Sequence, residues 1–126
     1  MEYWEQLNKE DIKRLTVSPL VTIGCHGYYH TSFMHCSIEK AMEEVKRNKL
    51  FLESSAEKNI DFIAFPYGHY TPELIKKCKE AGFKAQFVLD YLYKNDSNIK
   101  ELRTRMTINP YLSVTNLVAA LVKGKY

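Results

Sequence analysis

The sequence predicts an α/β domain with a mostly parallel sheet and flanking helices. Segments in which apolar residues recur at helical spacing alternate with short apolar runs, and this alternation is typical of parallel strands joined by helices. Four strands are predicted, whereas a closed barrel of the usual kind needs about eight. An open sheet, or part of a barrel, is therefore expected. A chain of 126 residues has room for one domain of ordinary size, so residues 1–126 are interpreted as a single domain.

The predicted order of elements is helix, strand, helix, strand, helix, strand, loop, strand, helix. The four helices start at residue types that cap helix N-termini, namely Asn8, Ser37, Thr71 and Ser113. The strands are expected at residues 20–25, 61–65, 84–89 and 106–108, with a polar loop at 91–101. Gly82 should end the third helix in a left-handed conformation. In the last helix the apolar residues expected to face inward are Val114, Leu117, Val118 and Leu121.

Composition excludes several classes of function. The net charge is +3, and no run of lysine and arginine exceeds two residues, which argues against a nucleic-acid-binding protein. No stretch approaches the ~18 apolar residues of a membrane span. The first residues lack the basic region and apolar core of a signal peptide, so a cytoplasmic location is the default expectation.

The cysteines and tyrosines allow more than one interpretation. Three cysteines match no zinc-ribbon spacing, and reduced thiols are expected. Cys25 precedes a histidine, but no base and orienting group around it indicate a nucleophile. Nine tyrosines is a high number for this length, and it suits the edge of a core as well as a carbohydrate-binding groove.

Two histidines separated by three residues directly follow the first predicted strand. On a helical turn, His26 and His30 would lie on one face and could bind the same metal ion. The spacing alone is common, lacks the glutamate of a zinc protease, and also fits two ordinary half-buried histidines. His35, His69 and Asp90 are interpreted as loop or surface residues without a metal role.

Two segments together resemble the polysaccharide deacetylase family, also called carbohydrate esterase family 4. Residues 21–33, Val-Thr-Ile-Gly-Cys-His-Gly-Tyr-Tyr-His-Thr-Ser-Phe, resemble its second motif, in which a strand leads into His-x-x-x-His. Residues 62–68, Phe-Ile-Ala-Phe-Pro-Tyr-Gly, resemble its third motif. Further similarity lies in residues 4–7, a short helix before the second motif, in residues 72–83 after the third, and in Arg105-Met106 near the C-terminus.

The resemblance implies a partial deacetylase-type β/α barrel that hydrolyses acetamide groups on an N-acetylated polysaccharide or oligosaccharide. It implies His26 and His30 as ligands of a divalent metal, either zinc or cobalt or nickel. It also implies Tyr67 as the backbone N–H donor to the oxyanion, with Pro66 and Gly68 shaping the substrate-binding backbone.

The sequence departs from the family at the carboxylates. The family's first motif, Thr-Phe-Asp-Asp, has no counterpart, because Asp11 is the only aspartate before His26 and lies in a helical pattern. Ala64 stands where many members have a base-orienting arginine, and no Leu-x-His motif follows. A third ligand and a catalytic base are thus missing, so the metal is expected to be weakly held and the domain incomplete at its N-terminus.

Three functions remain open from the sequence. The chain is a weakly active part of a deacetylase, a non-catalytic relative that binds a glycan or a partner, or a small structural protein without a metal. Missing strands would leave an unpaired sheet edge, so either self-association, with a homodimer expected, or a missing N-terminal segment should cover it.

Overall fold

The computed structural model describes residues 6–108 and 110–124 and has the predicted α/β architecture. Within these residues there are four α-helices and three strands, and the strands form one parallel sheet in the order β1-β2-β3. The helices are α1 (Lys9–Thr16), α2 (Ile38–Ala56), α3 (Pro72–Glu80) and α4 (Val114–Lys123). The strands are β1 (Phe62–Ala64), β2 (Ala85–Val88) and β3 (Leu102–Thr104), with 3₁₀ turns at Pro66–Gly68 and Asp96–Asn98.

The helix starts follow from local side-chain chemistry. All four predicted caps accept a backbone N–H three residues further on, and they are Asn8, Ser37, Thr71 and Ser113. Gly82 has φ +91° directly after α3, as predicted. Trp4 and Glu5, part of the short helix expected before α1, lie outside the described residues. No helix in the described ranges has the length and hydropathy needed to cross a membrane.

The core lies between the sheet and helices α1 to α3. One cluster of buried side chains draws on every one of these elements, for example Ile12, Val45, Ile63, Leu74 and Val88. The strand pairing is in register from Phe62 opposite Ala85 to Val88 opposite Thr104. The carboxyl ends of the parallel strands therefore meet at one edge of the sheet.

The first predicted strand, residues 20–25, is wrong apart from its last residue. Cys25 forms an isolated parallel bridge with Ile63, but residues 20–24 are irregular and Leu20 is 93% exposed. A cavity of about 250 Å³ lies between residues 21–23 and residues 59–62. A strand needs a neighbour for its backbone groups, and this segment pairs with β1 only at Cys25.

The fourth predicted strand is also displaced. Residues 106–108 are irregular, and the third strand of the sheet, β3, begins at Leu102, directly after the predicted loop. Only Leu102 of this strand is buried, while Arg103 and Thr104 are exposed. With one apolar residue in three, this segment has no strand pattern in the sequence. It becomes a strand because its backbone pairs with β2.

The last helix does not bury the face that its apolar spacing predicted. Ser113 caps α4, yet Val114 is 77% exposed and Val118 and Leu121 are each 53% exposed. Ala120 is the buried residue of this helix. The apolar spacing accompanies a helix as predicted, but among the described residues only part of its apolar face is covered, with Leu117 half-buried.

A buried tyrosine fixes the segment between β2 and β3. Tyr70, fully buried, donates its hydroxyl to the carboxylate of Asp96 and accepts the N–H of Leu92 at 2.8 Å. Asp96 is itself buried and also accepts the N–H of Tyr93 at 2.9 Å. Burial, followed by the contact with Asp96, raises the pKa of Tyr70 to about 12.

We expect Tyr70→Phe to lower the free energy of unfolding by about 1–3 kcal/mol, since it removes a donor from one buried group and an acceptor from another. Tyr93→Phe is the matched control, because its hydroxyl makes a long 3.4 Å contact and its ring is 37% exposed. Guanidinium unfolding of both variants measures the difference. Equal losses of unfolding free energy in the two variants would show that the Tyr70 hydroxyl stabilises the fold no more than the Tyr93 hydroxyl does.

The same contact predicts the alkaline behaviour. The pKa of Tyr70 is raised above its ordinary value of 10.0, so the neutral phenol stabilises the folded chain fully below pH 10. That contribution is lost as the pH rises from 10 towards 12. Between these values the parent should lose more unfolding free energy than Tyr70→Phe does.

Candidate metal centre

The segment that carries His26 and His30 meets the Pro-Tyr-Gly segment at the carboxyl edge of the sheet. Cys25 donates its N–H to Phe62 O at 2.8 Å and accepts the N–H of Ala64 at 2.9 Å, so the chain before His26 runs beside β1. The Pro66–Gly68 turn follows β1 directly. Residues about 40 positions apart in the sequence are thereby brought to one site.

His26 and His30 lie next to each other, but not on a helix. Their ring centroids are 4.8 Å apart in an edge-to-face arrangement, and the segment from 26 to 36 is irregular. The expectation of a helical turn is wrong because Gly27 and His30 have positive φ values, +77° and +57°. A Cβ at Gly27 would lie 3.3 Å from both Phe33 and Pro66, so this turn requires glycine.

The backbone fixes the tautomer of His26. Its Nδ1 lies 2.7 Å from the carbonyl oxygen of Ala64, and a carbonyl can only accept, so Nδ1 carries the proton. In the neutral ring the lone pair is then on Nε2. A histidine whose second nitrogen donates to a carbonyl is held in the tautomer and orientation that a metal ligand needs.

The Tyr67 turn borders the histidine pair. The ring of Tyr67 lies 4.7 Å from that of His30, and its backbone has φ +57°. The turn is closed by the N–H of Gly68 to Phe65 O at 2.9 Å and the N–H of His69 to Pro66 O at 3.0 Å. Pro66 and Gly68 are buried, whereas the Tyr67 side chain is exposed.

The other two histidines form a second pair. Ser32 Oγ lies 2.9 Å from His35 Nδ1 and 2.7 Å from His69 Nδ1, and the two rings are 5.7 Å apart. The ring of Tyr67 lies between the pairs, 5.7 Å from that of His69. Ser32 therefore joins the loop after His30 to the turn after Gly68, a connection that the sequence did not indicate.

Helix α2 holds the histidine loop, and sequence reasoning missed its role. Asn48 accepts the N–H of His26 at 3.0 Å. Glu44, only 5% exposed, accepts the N–H of Tyr29 at 3.3 Å and the hydroxyl of Thr31. Glu44 follows Ala41 by three residues and precedes Asn48 by four, so helical spacing already placed a carboxylate on the buried face.

The carboxylates needed for a complete site are not beside the histidines. In the described part of the chain, no group of three or more His, Cys, Asp or Glu side chains is arranged to hold a metal ion. Asp11 completes the capping box of α1 with Asn8, and Asp90 is exposed after β2. The two imidazoles thus fit two positions of a transition-metal site but do not complete one.

Two further groups have clear chemical states. Burial raises the pKa of the Cys25 thiol to about 12, so it is protonated and a poor nucleophile, in agreement with the sequence interpretation. Arg105 donates to Phe65 O at 3.3 Å, and its buried Nε has no acceptor among the described residues.

A parallel α/β domain with a histidine pair and a Pro-Tyr-Gly turn at the carboxyl edge defines the class of protein. The family model described as polysaccharide deacetylase matches residues 2–86, and the chain belongs to that family. No curated protein gives a significant match.

Two solved structures share the fold. The deacetylase PplD of Streptococcus pyogenes, in complex with acetate, is 19% identical with a TM-score of 0.77. The polysaccharide deacetylase BC0361 of Bacillus cereus is 18% identical with a TM-score of 0.76. The comparisons cover 94% and 95% of this chain but only 52% and 38% of those proteins. The chain therefore spans about half their length or less, which agrees with the prediction of a partial deacetylase fold.

Gly68→Ala should lower the free energy of unfolding by about 2–4 kcal/mol, because the new Cβ adds a clash to an unfavourable backbone conformation. That Cβ would lie 2.9 Å from Leu89 Cβ, Cγ and N, at φ +70°. Gly82→Ala is the matched control, since φ is +91° there but nothing lies within 4 Å. Its loss should be about 1–2 kcal/mol. Chemical denaturation compares the two, and equal losses would contradict the close approach to Leu89.

Proposed function

We propose that this chain carries the histidine half of a metal-dependent deacetylase acting on N-acetylated polysaccharide or oligosaccharide. The observation that carries the proposal is the pair His26 and His30, with ring centroids 4.8 Å apart and His26 Nδ1 held by Ala64 O. Membership of the polysaccharide deacetylase family supports the substrate class.

Zinc, cobalt or nickel is the proposed metal, because imidazole nitrogen suits all three. When bound, such an ion would polarise the acetamide carbonyl and lower the pKa of a water molecule. With two protein ligands in the described residues, the ion would be weakly held.

The residues of the chain have separate roles in the proposed reaction. His26 and His30 would bind the metal ion and fix its position. Tyr67 offers its backbone N–H to the oxyanion, a role supported by the turn being closed by Gly68 and His69 rather than by Tyr67. Pro66 and Gly68 fix that backbone, since one is buried and the other has no room for a side chain.

The third ligand and the base are proposed to come from polypeptide beyond these residues, upstream or in a second copy. Arg105 supports this proposal, because its buried Nε is a donor without an acceptor and a carboxylate would satisfy it. The alternative is a relative that binds glycan without catalysis. It is favoured by the lack of a third metal-binding group in the described residues.

Titration of zinc into the protein, with the heat of binding measured by calorimetry, tests the site. We expect zinc to bind the parent weakly, at one site, and His26→Ala and His30→Ala each to weaken binding at least tenfold, since each removes one of two ligands. His35→Ala is the matched control, because His35 lies in the second pair. Undiminished binding in both His26→Ala and His30→Ala, or loss in the control alone, would contradict the proposed site.

Release of acetate from N-acetylglucosamine oligomers tests activity in the presence of added zinc, cobalt or nickel. The chain alone should be slow or inactive, because general base catalysis typically contributes about 10²–10⁴-fold and the described residues place no further carboxylate with the histidine pair. Fast turnover that either histidine substitution abolishes would mean that a carboxylate within this chain, or within a second copy, completes the site. Metal binding without turnover would agree with an incomplete centre.

We further propose that the chain forms a homodimer through its open sheet edge. An apolar cavity of about 480 Å³ is lined by Cys25, Phe62, Ile63 and Phe87, and Thr22 and Gly24 at its border belong to no strand. Light scattering should give twice the chain mass. Thr22→Lys, which places a charge on this edge, should shift the protein to monomer, while Ser54→Lys on α2 should not. A monomeric parent would contradict the dimer.

A further inference from the structure

The loop between the two candidate ligands presents tyrosines on the surface instead of burying them. Tyr28 and Tyr29 lie between His26 and His30 in the sequence, and Tyr29 is 65% exposed. Their rings are in edge-to-face contact, with centroids 4.9 Å apart. Both tyrosines are within three positions of each histidine in the chain.

Helix α2 fixes both tyrosine rings from one side. The Arg47 guanidinium lies 4.1 Å from the centroid of Tyr28 and 5.4 Å from that of Tyr29. It also donates to the hydroxyl of Tyr29 at 2.9 Å. Phe51, one helical turn further on, meets Tyr28 edge-on at 6.4 Å. These contacts restrict the rings before any ligand is present.

The same helix fixes the backbone of the loop. Glu44 accepts the N–H of Tyr29 and the hydroxyl of Thr31, and Asn48 accepts the N–H of His26. The tyrosines and the histidine pair are consequently held by one rigid element. A ligand that contacts both would meet two surfaces already in position, which reduces the entropy cost of binding.

We propose that Tyr28, Tyr29 and Arg47, here called the tyrosine platform, stack a sugar ring of the N-acetylated glycan. The ring would belong to the unit next to the one whose acetamide lies at His26 and His30. The identity of this ligand rests on the proposed function.

The chemistry of the platform matches a sugar. A pyranose ring has an apolar face of C–H groups and an edge of hydroxyls, so it needs an apolar surface bordered by hydrogen-bonding groups. Tyr29 supplies an exposed ring face with a hydroxyl at its tip. Arg47 is exposed and has five N–H donors, one of which goes to Tyr29.

A purely structural role would also explain part of this arrangement, because Arg47 packs the loop against α2. That role requires the contact with Tyr28, which is the shorter one. It also accounts for the hydrogen bond from Arg47 to the Tyr29 hydroxyl, but not for the exposure of the Tyr29 ring. The exposed face of Tyr29 is what distinguishes a ligand-binding platform from a loop anchor.

The test measures binding of the N-acetylglucosamine tetramer to the full chain in the presence of a chelator, by calorimetry and saturation-transfer NMR. Tyr29→Ala should weaken binding about tenfold, the usual size of one aromatic stacking contact. Tyr29→Phe keeps the ring and should stay within about threefold of the parent. Tyr111→Ala, which truncates a tyrosine 94% exposed before α4, should leave binding unchanged.

Several outcomes would overturn the platform. They are no binding by the parent at millimolar tetramer, equal binding by Tyr29→Ala, or equal weakening by Tyr111→Ala. Because a chelator is present, the result is independent of the metal. Zinc affinity of Tyr29→Ala should equal that of the parent, so failure of the metal site and failure of the platform are separate observations.

Discussion

The short parallel pairing between Cys25 and β1 is the contact on which the site depends. Two backbone hydrogen bonds, of 2.8 and 2.9 Å, join the chain before His26 to Phe62 and Ala64. Ala64 O, at the end of the same strand, then accepts a hydrogen bond from Nδ1–H of His26. One strand thereby aligns the histidine segment, sets the tautomer of its first histidine and leads directly into the Pro66–Gly68 turn. This pairing positions the histidine segment beside the turn, and Ser32 Oγ joins the two segments a second time through His69 Nδ1.

Helix α2 is the second support of the site. A buried carboxylate is costly unless it is hydrogen-bonded, and Glu44 is satisfied by a backbone N–H and a hydroxyl of the histidine loop. The loop in turn has a conformation that a helix would not give, with positive φ at Gly27 and His30. The burial of Glu44 and the irregular loop therefore require each other. Two further residues of α2 hold the loop: Arg47 donates to the hydroxyl of Tyr29, and Asn48 accepts the N–H of His26.

The incomplete features of the structure lie on two surfaces. The sheet is open beside residues 20–24, where the cavity against Phe62 and Phe87 has apolar walls, and α4 leaves its valines exposed. The buried Nε of Arg105 lacks an acceptor in the described residues near the end of the same sheet. The solved deacetylases that share the fold are about twice as long or more. The described residues thus combine an open sheet edge, an exposed apolar helix face and a pair of histidines without a third metal-binding group.

The sequence by itself determined the features that arise from contacts between near neighbours in the chain. The caps at Asn8, Ser37, Thr71 and Ser113 and the left-handed Gly82 depend on residues within one or two turns. The motif resemblance also placed His26, His30 and Tyr67, which the fold brings into contact.

Only the tertiary structure decided which apolar segments pair or become buried. Among the described residues, 20–24 form no strand and α4 leaves most of its apolar side chains exposed despite the expected patterns. Leu102–Thr104, by contrast, pairs with β2 almost without a pattern. Strand pairing and burial depend on what lies opposite, and the residues opposite are distant in the sequence. The roles of Glu44 and Ser32 were undetermined for the same reason, since Thr31 lies 13 residues from Glu44 and His69 lies 37 residues from Ser32.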